Sequence, residues 1–150
     1  MKRVSVNDKL PDFKGINQDG EEISSQKFLG KKLVIFFYPK AGTPGCTAEV
    51  CNLGENYQAL EEKGFQVLGI SADTLDKQKK FHEKNAFPYD LIADEDKTIC
   101  ELFGVWQLKK FMGKEFMGIV RTTFIFNEEG ICTEIIDKVK TKSHVEQILK

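Results

Sequence analysis

A run of seven residues, KLVIFFY at positions 32–38, is apolar almost throughout and rich in β-branched and aromatic side chains. Its length and composition predict a β-strand that is buried on both faces. A second run of the same kind, FQVLGISAD, follows at positions 65–73. Strands buried on both faces need other elements packed above and below them, so these two runs favour a layered fold with a sheet in the middle.

The segments around these runs alternate between helical and extended patterns. One helix is predicted over 44–62, because apolar residues recur there at helical spacing: Val50, Leu53, Tyr57 and Leu60. Gly64 stands where a glycine would end this helix. The Asp19-Gly20 pair predicts the turn of a small hairpin over 13–24. The remaining predictions are helices over 75–86, 96–104 and 143–150, strands over 89–94, 119–127 and 131–137, and a surface loop with basic and aromatic residues over 108–118.

The predicted order of elements is β-β-β-α-β-α-β-α-β-β-α. Strands that alternate with helices and end in an antiparallel hairpin indicate a mixed central sheet with helices on both faces. A length of 150 residues is that of one ordinary domain. We therefore predict one α/β domain over 1–150, with a hairpin near its N-terminus.

Charge and cysteine content restrict the function further. The formal net charge is −1 and no basic stripe stands out, so nucleic acid is not an expected partner. No secretory signal or membrane-spanning run is recognised, so a soluble cytoplasmic protein is expected. The four cysteines include no C-x-x-C pair and neither histidine lies near a cysteine in sequence, which disfavours a metal site or a disulfide scaffold.

The stretch YPKAGTPGCTAEVC, positions 38–51, places a cysteine at the start of the predicted helix. Thr43 is a good N-cap residue and Pro44 suits the first helical position, so Cys46 is expected in the first turn. Unpaired backbone N–H groups and the helix dipole favour an anion there, and such a setting lowers the pKa of a thiol. The alternative is that Cys46 is only a small buried apolar residue.

Cys51 lies five residues after Cys46 on the same predicted helix. Residues i and i+5 of an ideal helix have Cα atoms roughly 8–9 Å apart, beyond the roughly 7 Å limit for a disulfide. The two thiols can therefore bridge only if the first turns of the helix unwind. The alternative is that Cys51 is an inert core cysteine.

These residues resemble the active-site motif of the peroxiredoxins. The pattern Pro39-x-x-x-Thr43-x-x-Cys46, with Cys51 five residues on, is similar to the bacterioferritin comigratory protein and PrxQ branch of that family. The resemblance covers nearly the whole chain, through the segments FFYPKAGTPGCTAEVC, QVLGISAD, LIAD, FGVWQLKKFMGKEFMGIVRTTFIF and DKVKTKSHVEQIL. It implies a thioredoxin-like fold and a thiol peroxidase that needs no cofactor and no metal.

The resemblance also implies a role for each site residue. Cys46 would be the peroxidatic cysteine, whose thiolate attacks a hydroperoxide and becomes a sulfenic acid. Cys51 would be the resolving cysteine, and thioredoxin or a similar dithiol would reduce the resulting disulfide. Thr43 would hydrogen-bond the peroxide, Arg121 would hold the thiolate and polarise the peroxide, and Pro39 would shield the sulfenate from water.

Other residues receive weaker predictions. Arg121 is predicted within the strand over 119–127, on one face with Thr123 and Ile125; its alternative is an edge-strand charge in water. Glu49 either supports Arg121 or is a solvated helix residue. Structural or surface roles are expected for the remaining candidates: Trp106, Cys100, Cys132 and His144 as packing residues, and His82 as a solvated one.

Two other functions remain open at this point. A general dithiol–disulfide oxidoreductase is disfavoured by the missing C-x-x-C pair. A redox sensor or holdase, which would expose apolar surface when the helix unwinds, would oxidise slowly and bind partners according to redox state. The resemblance implies a monomer, with a dimer through the sheet edge or helix faces as the alternative, and the sequence itself fixes neither the oligomeric state nor the choice between hydrogen peroxide and organic hydroperoxides.

Overall fold

A computed structural model describes residues 3–150. Nine strands occur in this range: β1 (Lys14–Ile16), β2 (Glu22–Ser24), β3 (Lys32–Phe37), β4 (Phe65–Ser71), β5 (Asp90–Ala93), β6 (Trp106–Phe111), β7 (Lys114–Ile119), β8 (Thr122–Phe126) and β9 (Cys132–Ile136). The same range contains five α-helices: α1 (Pro44–Glu55), α2 (Tyr57–Glu62), α3 (Leu75–Asn85), α4 (Thr98–Phe103) and α5 (His144–Leu149).

Five strands form the central sheet, in the order β5-β4-β3-β8-β9. Strand β3 is its middle strand and pairs in parallel with β4 and antiparallel with β8. Strand β5 continues the parallel half and β9 the antiparallel half. The prediction of a mixed central sheet is confirmed, and the two apolar runs found in the sequence are its two central parallel strands.

Side chains of β3 alternate between two hydrophobic cores, one on each face of the sheet. Leu33, Ile35 and Phe37 point into the core that α4 and the N-terminal segment cover. Val34 and Phe36 point into the core that α1, α2, α3 and α5 cover. Helices therefore lie on both faces, as the sequence predicts, and Cys46 belongs to the second core.

The predicted N-terminal hairpin is confirmed. Strands β1 and β2 pair antiparallel, with Lys14 opposite Ser24 and Ile16 opposite Glu22. Gly20 in the connecting turn has φ +81°, a conformation that glycine adopts without steric cost.

The prediction of one helix over 44–62 is wrong, because two helices meet at Asn56. This residue leaves the helical region, with φ −109° and ψ 16°. Its side-chain amide donates to the Asn52 carbonyl oxygen at 2.8 Å. Asparagine competes in this way with the regular backbone bonds of a helix, and hydrophobic spacing alone does not reveal it.

The prediction of a surface loop over 108–118 is also wrong, because β6 and β7 form a regular antiparallel hairpin with six residue pairs. Its turn lies at Met112 and Gly113, which both have positive φ. The strand predicted over 119–127 is accordingly divided. Strand β7 ends at Ile119 and β8 begins at Thr122, so Arg121 lies in the link before β8 rather than inside it.

In the part of the chain that the structure describes, no helix has the length and apolar character needed to cross a membrane.

Candidate active site

The turn between β3 and α1 places Cys46 at the end of the central sheet. Strand β3 ends at Phe37, half-buried Pro39 follows, and α1 begins at Pro44. Cys46 is the third helical residue, in the predicted register, and only 1% of its surface is exposed. Its thiol is therefore in the first turn of α1, where backbone N–H groups have no partner inside the helix.

Thr43 occupies the N-cap position with an extended backbone, but its side chain does not cap the helix. Its hydroxyl donates instead to the Lys40 carbonyl oxygen at 2.9 Å. The threonine oxygen accepts no hydrogen bond from the N–H groups of the helix start. It can therefore accept one from a molecule that enters the turn.

Asp73 holds this turn in place, although no motif in the sequence marks it. Its carboxylate accepts a hydrogen bond from the Ala41 backbone N–H at 2.7 Å. The same oxygen accepts one from the Ser71 hydroxyl, also at 2.7 Å. Because β3 and β4 are parallel neighbours, their carboxyl ends meet at one edge of the sheet, and this rule could have linked the two segments.

Arg121 connects two groups on α1. Its Nη2 atom donates to the Cys46 sulfur at 3.2 Å, and its Nη1 atom donates to Glu49 Oε1 at 2.5 Å. Its side chain is 23% exposed, so it is only partly shielded from solvent. Burial works against its charge, but Glu49 and Cys46 outweigh it and raise the pKa of Arg121.

Glu49 is buried completely, so the alternative of a solvated helix glutamate is wrong. Cys46 and Glu49 are three residues apart on α1 and therefore share a face of the helix. Burial raises the pKa of Glu49 to about 7, while Arg121 acts in the opposite direction. The Glu49 carboxyl group is therefore linked to the Cys46 sulfur through Arg121.

His144 extends the site into the last helix. It is fully buried, and its Nε2 atom lies 3.7 Å from Glu49 Oε2 and 2.7 Å from the Thr123 hydroxyl. Its Nδ1 atom lies 2.8 Å from Gln147 Oε1. Burial lowers the pKa of His144. His144, which the sequence predicts to be a packing residue, thus contacts the polar groups behind Cys46. No pattern in the sequence of α5 indicates this contact.

Cys51 is half-buried on the same unbroken helix as Cys46, and both are free thiols. Its sulfur lies 3.7 Å from Asn85 Oδ1 on α3. Burial, and then the charge of Glu55, raise the pKa of Cys51. The thiol form of Cys51 is therefore favoured while α1 is intact.

The other cysteines lie inside the protein, away from the site. Cys100 and Cys132 are buried in the core on the opposite face of the sheet. Burial and the nearby Asp94 raise the pKa of Cys100, and burial raises that of Cys132. Trp106 is half-buried against the same core. No three potential metal-binding side chains cluster within residues 3–150.

The prediction of a solvated His82 is wrong. Its Nε2 atom lies 3.0 Å from the Tyr89 carbonyl oxygen, and its ring lies edge-on to Phe87. The residue is half-buried at the end of α3, where it joins the helix to the segment that leads into β5.

Known proteins match this chain over nearly its whole length. Residues 6–135 match the AhpC/TSA family. Peroxiredoxin Bcp of Escherichia coli K12 is 40% identical over 149 residues, which cover 99% of this chain and 96% of that protein. Peroxiredoxin Bcp of Bacillus subtilis is 38% identical over 147 residues, which cover 98% of this chain and 94% of that protein.

A solved structure of the bacterioferritin comigratory protein from Xanthomonas campestris superposes with a TM-score of 0.86 at 30% identity, covering 95% of both chains. That structure concerns the alkyl peroxide reduction activity of the Xanthomonas protein. The fold is accordingly the thioredoxin-like fold of these peroxiredoxins. The chain belongs to the AhpC/TSA family, within its Bcp and peroxiredoxin Q branch.

Proposed function

We propose that this protein is a thiol-dependent peroxidase that reduces hydrogen peroxide and organic hydroperoxides to water and alcohols. The observation that carries the proposal is the contact of 3.2 Å between Arg121 Nη2 and the Cys46 sulfur. A permanently charged guanidinium stabilises a thiolate, which is the nucleophilic form of cysteine. The alkyl peroxide reduction reported for the Xanthomonas relative supports the same substrate class.

The first step forms a bond between the Cys46 sulfur and one peroxide oxygen. The thiolate attacks R–O–O–H, the O–O bond breaks, and Cys46 becomes a sulfenic acid while RO⁻ leaves and takes a proton to become ROH. Arg121 polarises the peroxide and stabilises the charge that develops on the leaving oxygen. The Thr43 hydroxyl hydrogen-bonds the peroxide, and Pro39 limits the access of water to the sulfenic acid.

The second step joins Cys46 to Cys51. The Cys51 thiol attacks the sulfenic sulfur, a disulfide forms, and water leaves with the oxygen from the peroxide. Helix α1 runs unbroken from Pro44 to Glu55 in the dithiol form. Because ideal helix spacing puts these Cα atoms roughly 8–9 Å apart, its first turns unwind before the bond can form.

Thioredoxin, or a dithiol protein like it, then restores the two thiols by disulfide exchange. In this proposal the protein acts as a monomer in the cytoplasm, where thiol reductants are available, and contributes to redox homeostasis and antioxidant defence. No cofactor takes part, since both electrons come from the two cysteines.

Rapid-quench mass spectrometry after one equivalent of hydrogen peroxide tests the proposal. We expect Cys46 to oxidise far faster than free cysteine, with a Cys46–Cys51 disulfide following. Cys46→Ser should abolish peroxide turnover, and Cys51→Ser should stop at the sulfenic acid. Cys100→Ala, a buried cysteine outside the site, is the matched control and should turn over normally. Slow oxidation spread over all four cysteines would overturn the proposal.

A further inference from the structure

One oxygen of the buried carboxyl group at the centre of the site lacks a partner. Glu49 Oε1 accepts from Arg121, but Oε2 has no hydrogen-bond partner among the described residues. A buried carboxylate oxygen left unpaired is costly. His144 Nε2 lies 3.7 Å from this oxygen, beyond hydrogen-bond distance.

Hydrogen bonds around Gln147 decide which nitrogen of His144 carries the proton in the neutral ring. Lys140 N–H donates to Gln147 Oε1 at 2.9 Å, and Gln147 Nε2 donates to the Lys138 carbonyl oxygen at 2.9 Å. Gln147 Oε1 is thus an acceptor, and His144 Nδ1 must donate to it. In the neutral ring, Nε2 is then an acceptor, which the Thr123 hydroxyl satisfies.

Two acceptors therefore face each other in a buried space, Glu49 Oε2 and neutral His144 Nε2. A proton on either one turns the repulsive contact into a favourable one. The charged or titratable groups packed around the pair are Arg121, Cys46 and Tyr89. Arg121 donates to the other carboxyl oxygen and to Cys46, and the Tyr89 hydroxyl donates to the Val50 carbonyl oxygen at 2.6 Å.

We propose that Glu49 and His144 hold one proton between them in the dithiol form, and that the protein releases it when the Cys46–Cys51 disulfide forms. The inference rests on the proposed function, because it uses the unwinding of α1. Glu49 lies between the two cysteines in sequence, so the unwinding that joins them carries its carboxyl group away from His144. An exposed glutamic acid, with a pKa of about 4.3, loses its proton to neutral water.

The release balances the chemistry of the peroxidase cycle. Starting from the Cys46 thiolate, formation of the disulfide consumes one proton, because RO⁻ leaves and becomes ROH. Ionisation of the Glu49 carboxyl group returns one proton to solvent. The burial that raises the pKa of Glu49 to about 7 supports occupancy of this site near neutral pH.

Infrared difference spectroscopy of reduced and oxidised protein reads the carboxyl proton directly. At about pH 6, below the pKa of Glu49, we expect the band of a buried protonated carboxyl group in the dithiol form. This band should be lost on disulfide formation and absent from Glu49→Gln. Nitrogen NMR of His144 detects the proton when it resides on the imidazole instead. Mass spectrometry of the same sample counts disulfides, so a failure of the peroxidase chemistry is seen separately.

Two variants separate proton storage from a purely structural role. Cys51→Ser forms the sulfenic acid without unwinding α1, so it should keep the proton after oxidation. His144→Gln replaces the ring with an amide that can donate to Glu49 without storing a proton. It should shift the titration of the Glu49 band to lower pH, whereas His144→Leu, which offers no donor, should not; an equal shift in both variants would indicate a change in packing alone.

Two results would overturn the inference. One is a dithiol form at about pH 6 in which Glu49 is ionised and His144 is neutral. The other is a protonated pair that persists unchanged when mass spectrometry shows the disulfide fully formed.

Discussion

Arg121 is the residue at which the electrostatics of the site converge. Its guanidinium spans two groups of α1, the Cys46 sulfur and the Glu49 carboxyl, through separate nitrogen atoms. A planar fork of donors can do this, whereas an ammonium group is a single point charge. The geometry of the fork therefore matters in addition to its charge.

Arg121→Lys tests the fork while it keeps the charge. One Nζ atom cannot occupy both Nη positions, so we expect the rate of Cys46 oxidation by peroxide to fall. Loss of one charge-assisted hydrogen bond corresponds to about 1.5–3 kcal/mol, or roughly a 10–100-fold slower rate. Stopped-flow oxidation measures it, with Lys80→Arg on the exposed face of α3 as the control. An unchanged rate in Arg121→Lys would show that charge alone is sufficient.

Glu49 makes the stability of the fold depend on pH. Its pKa is raised to about 7 in the folded protein, against about 4.3 for an unfolded chain. The folded state therefore binds the proton more tightly. The associated stability is fully present below about pH 4.3 and is lost as pH rises through about 7, by roughly 4 kcal/mol.

Glu49→Gln isolates this contribution from other titrating groups. His144, with its lowered pKa, acts in the opposite direction, since it removes stability as pH falls below about 6.5. Urea unfolding of the unsubstituted protein and of Glu49→Gln is measured from about pH 4 to 8. The unfolding free energy of the unsubstituted protein minus that of Glu49→Gln should fall as pH rises. A constant difference would mean that Glu49 titrates in its ordinary range.

A short sequence motif predicts the part of the site that lies at the start of α1. Contacts between segments that are distant in sequence supply the rest of the site. Helix-start chemistry was enough to place Thr43, Pro44 and Cys46, because capping preferences are local. The contact between Glu49 and His144 joins residues 95 positions apart in sequence, through the packing of α5 on α1. No local preference encodes such a meeting.

At the level of the element, α1 carries Cys46, Glu49 and Cys51 on one helix. Its hydrophobic residues Val50 and Leu53 are buried in the second core, which holds the helix in place while the thiols are reduced. No basic residue supports its last turn, and it ends after only twelve residues at the break near Asn56. A short helix of this kind can open without unfolding the sheet beneath it.

Hydrogen–deuterium exchange measures that opening. We expect the backbone amides of α1 to exchange faster in the disulfide form, while those of α4, which packs on the opposite face of the sheet, should be unchanged. The Cys51→Ser variant treated with peroxide is the matched control and should keep the protection of α1. Equal protection of α1 in both redox forms would contradict a disulfide that requires unwinding.

The hairpin of β6 and β7 shows why sequence patterns fail at some elements. Only Trp106 and Ile119, at its base, pack against the core, and its other large apolar side chains are exposed, with Met112 at the turn 86% exposed. No alternation between core and solvent therefore marks the strands. Its turn is Met-Gly rather than a favoured Asn-Gly or Asp-Gly pair. Buried strands such as β3 and β4, by contrast, are predicted well because burial on both faces restricts their composition.

At the level of the whole molecule, the N-terminal segment covers the core opposite the active site. Val4 belongs to that core, and its backbone N–H donates to the Phe103 carbonyl oxygen at 3.2 Å, at the end of α4. Gly104 ends this helix with φ +76°. A Cβ atom placed there would lie 2.4 Å from the Arg3 Cα atom.

Gly104→Ala tests how much the fold depends on this close approach. The left-handed conformation costs an L-residue about 1–2 kcal/mol, and the contact with Arg3 backbone adds to it because the segment must move. Gly113→Ala is the matched control, since Gly113 has φ +79° and no atom within 4 Å of its added Cβ. We expect urea unfolding of the reduced proteins to give a loss of about 1 kcal/mol for Gly113→Ala and about 2–4 kcal/mol for Gly104→Ala. Equal losses would mean that the N-terminal segment moves aside without cost and that the core it covers does not depend on it.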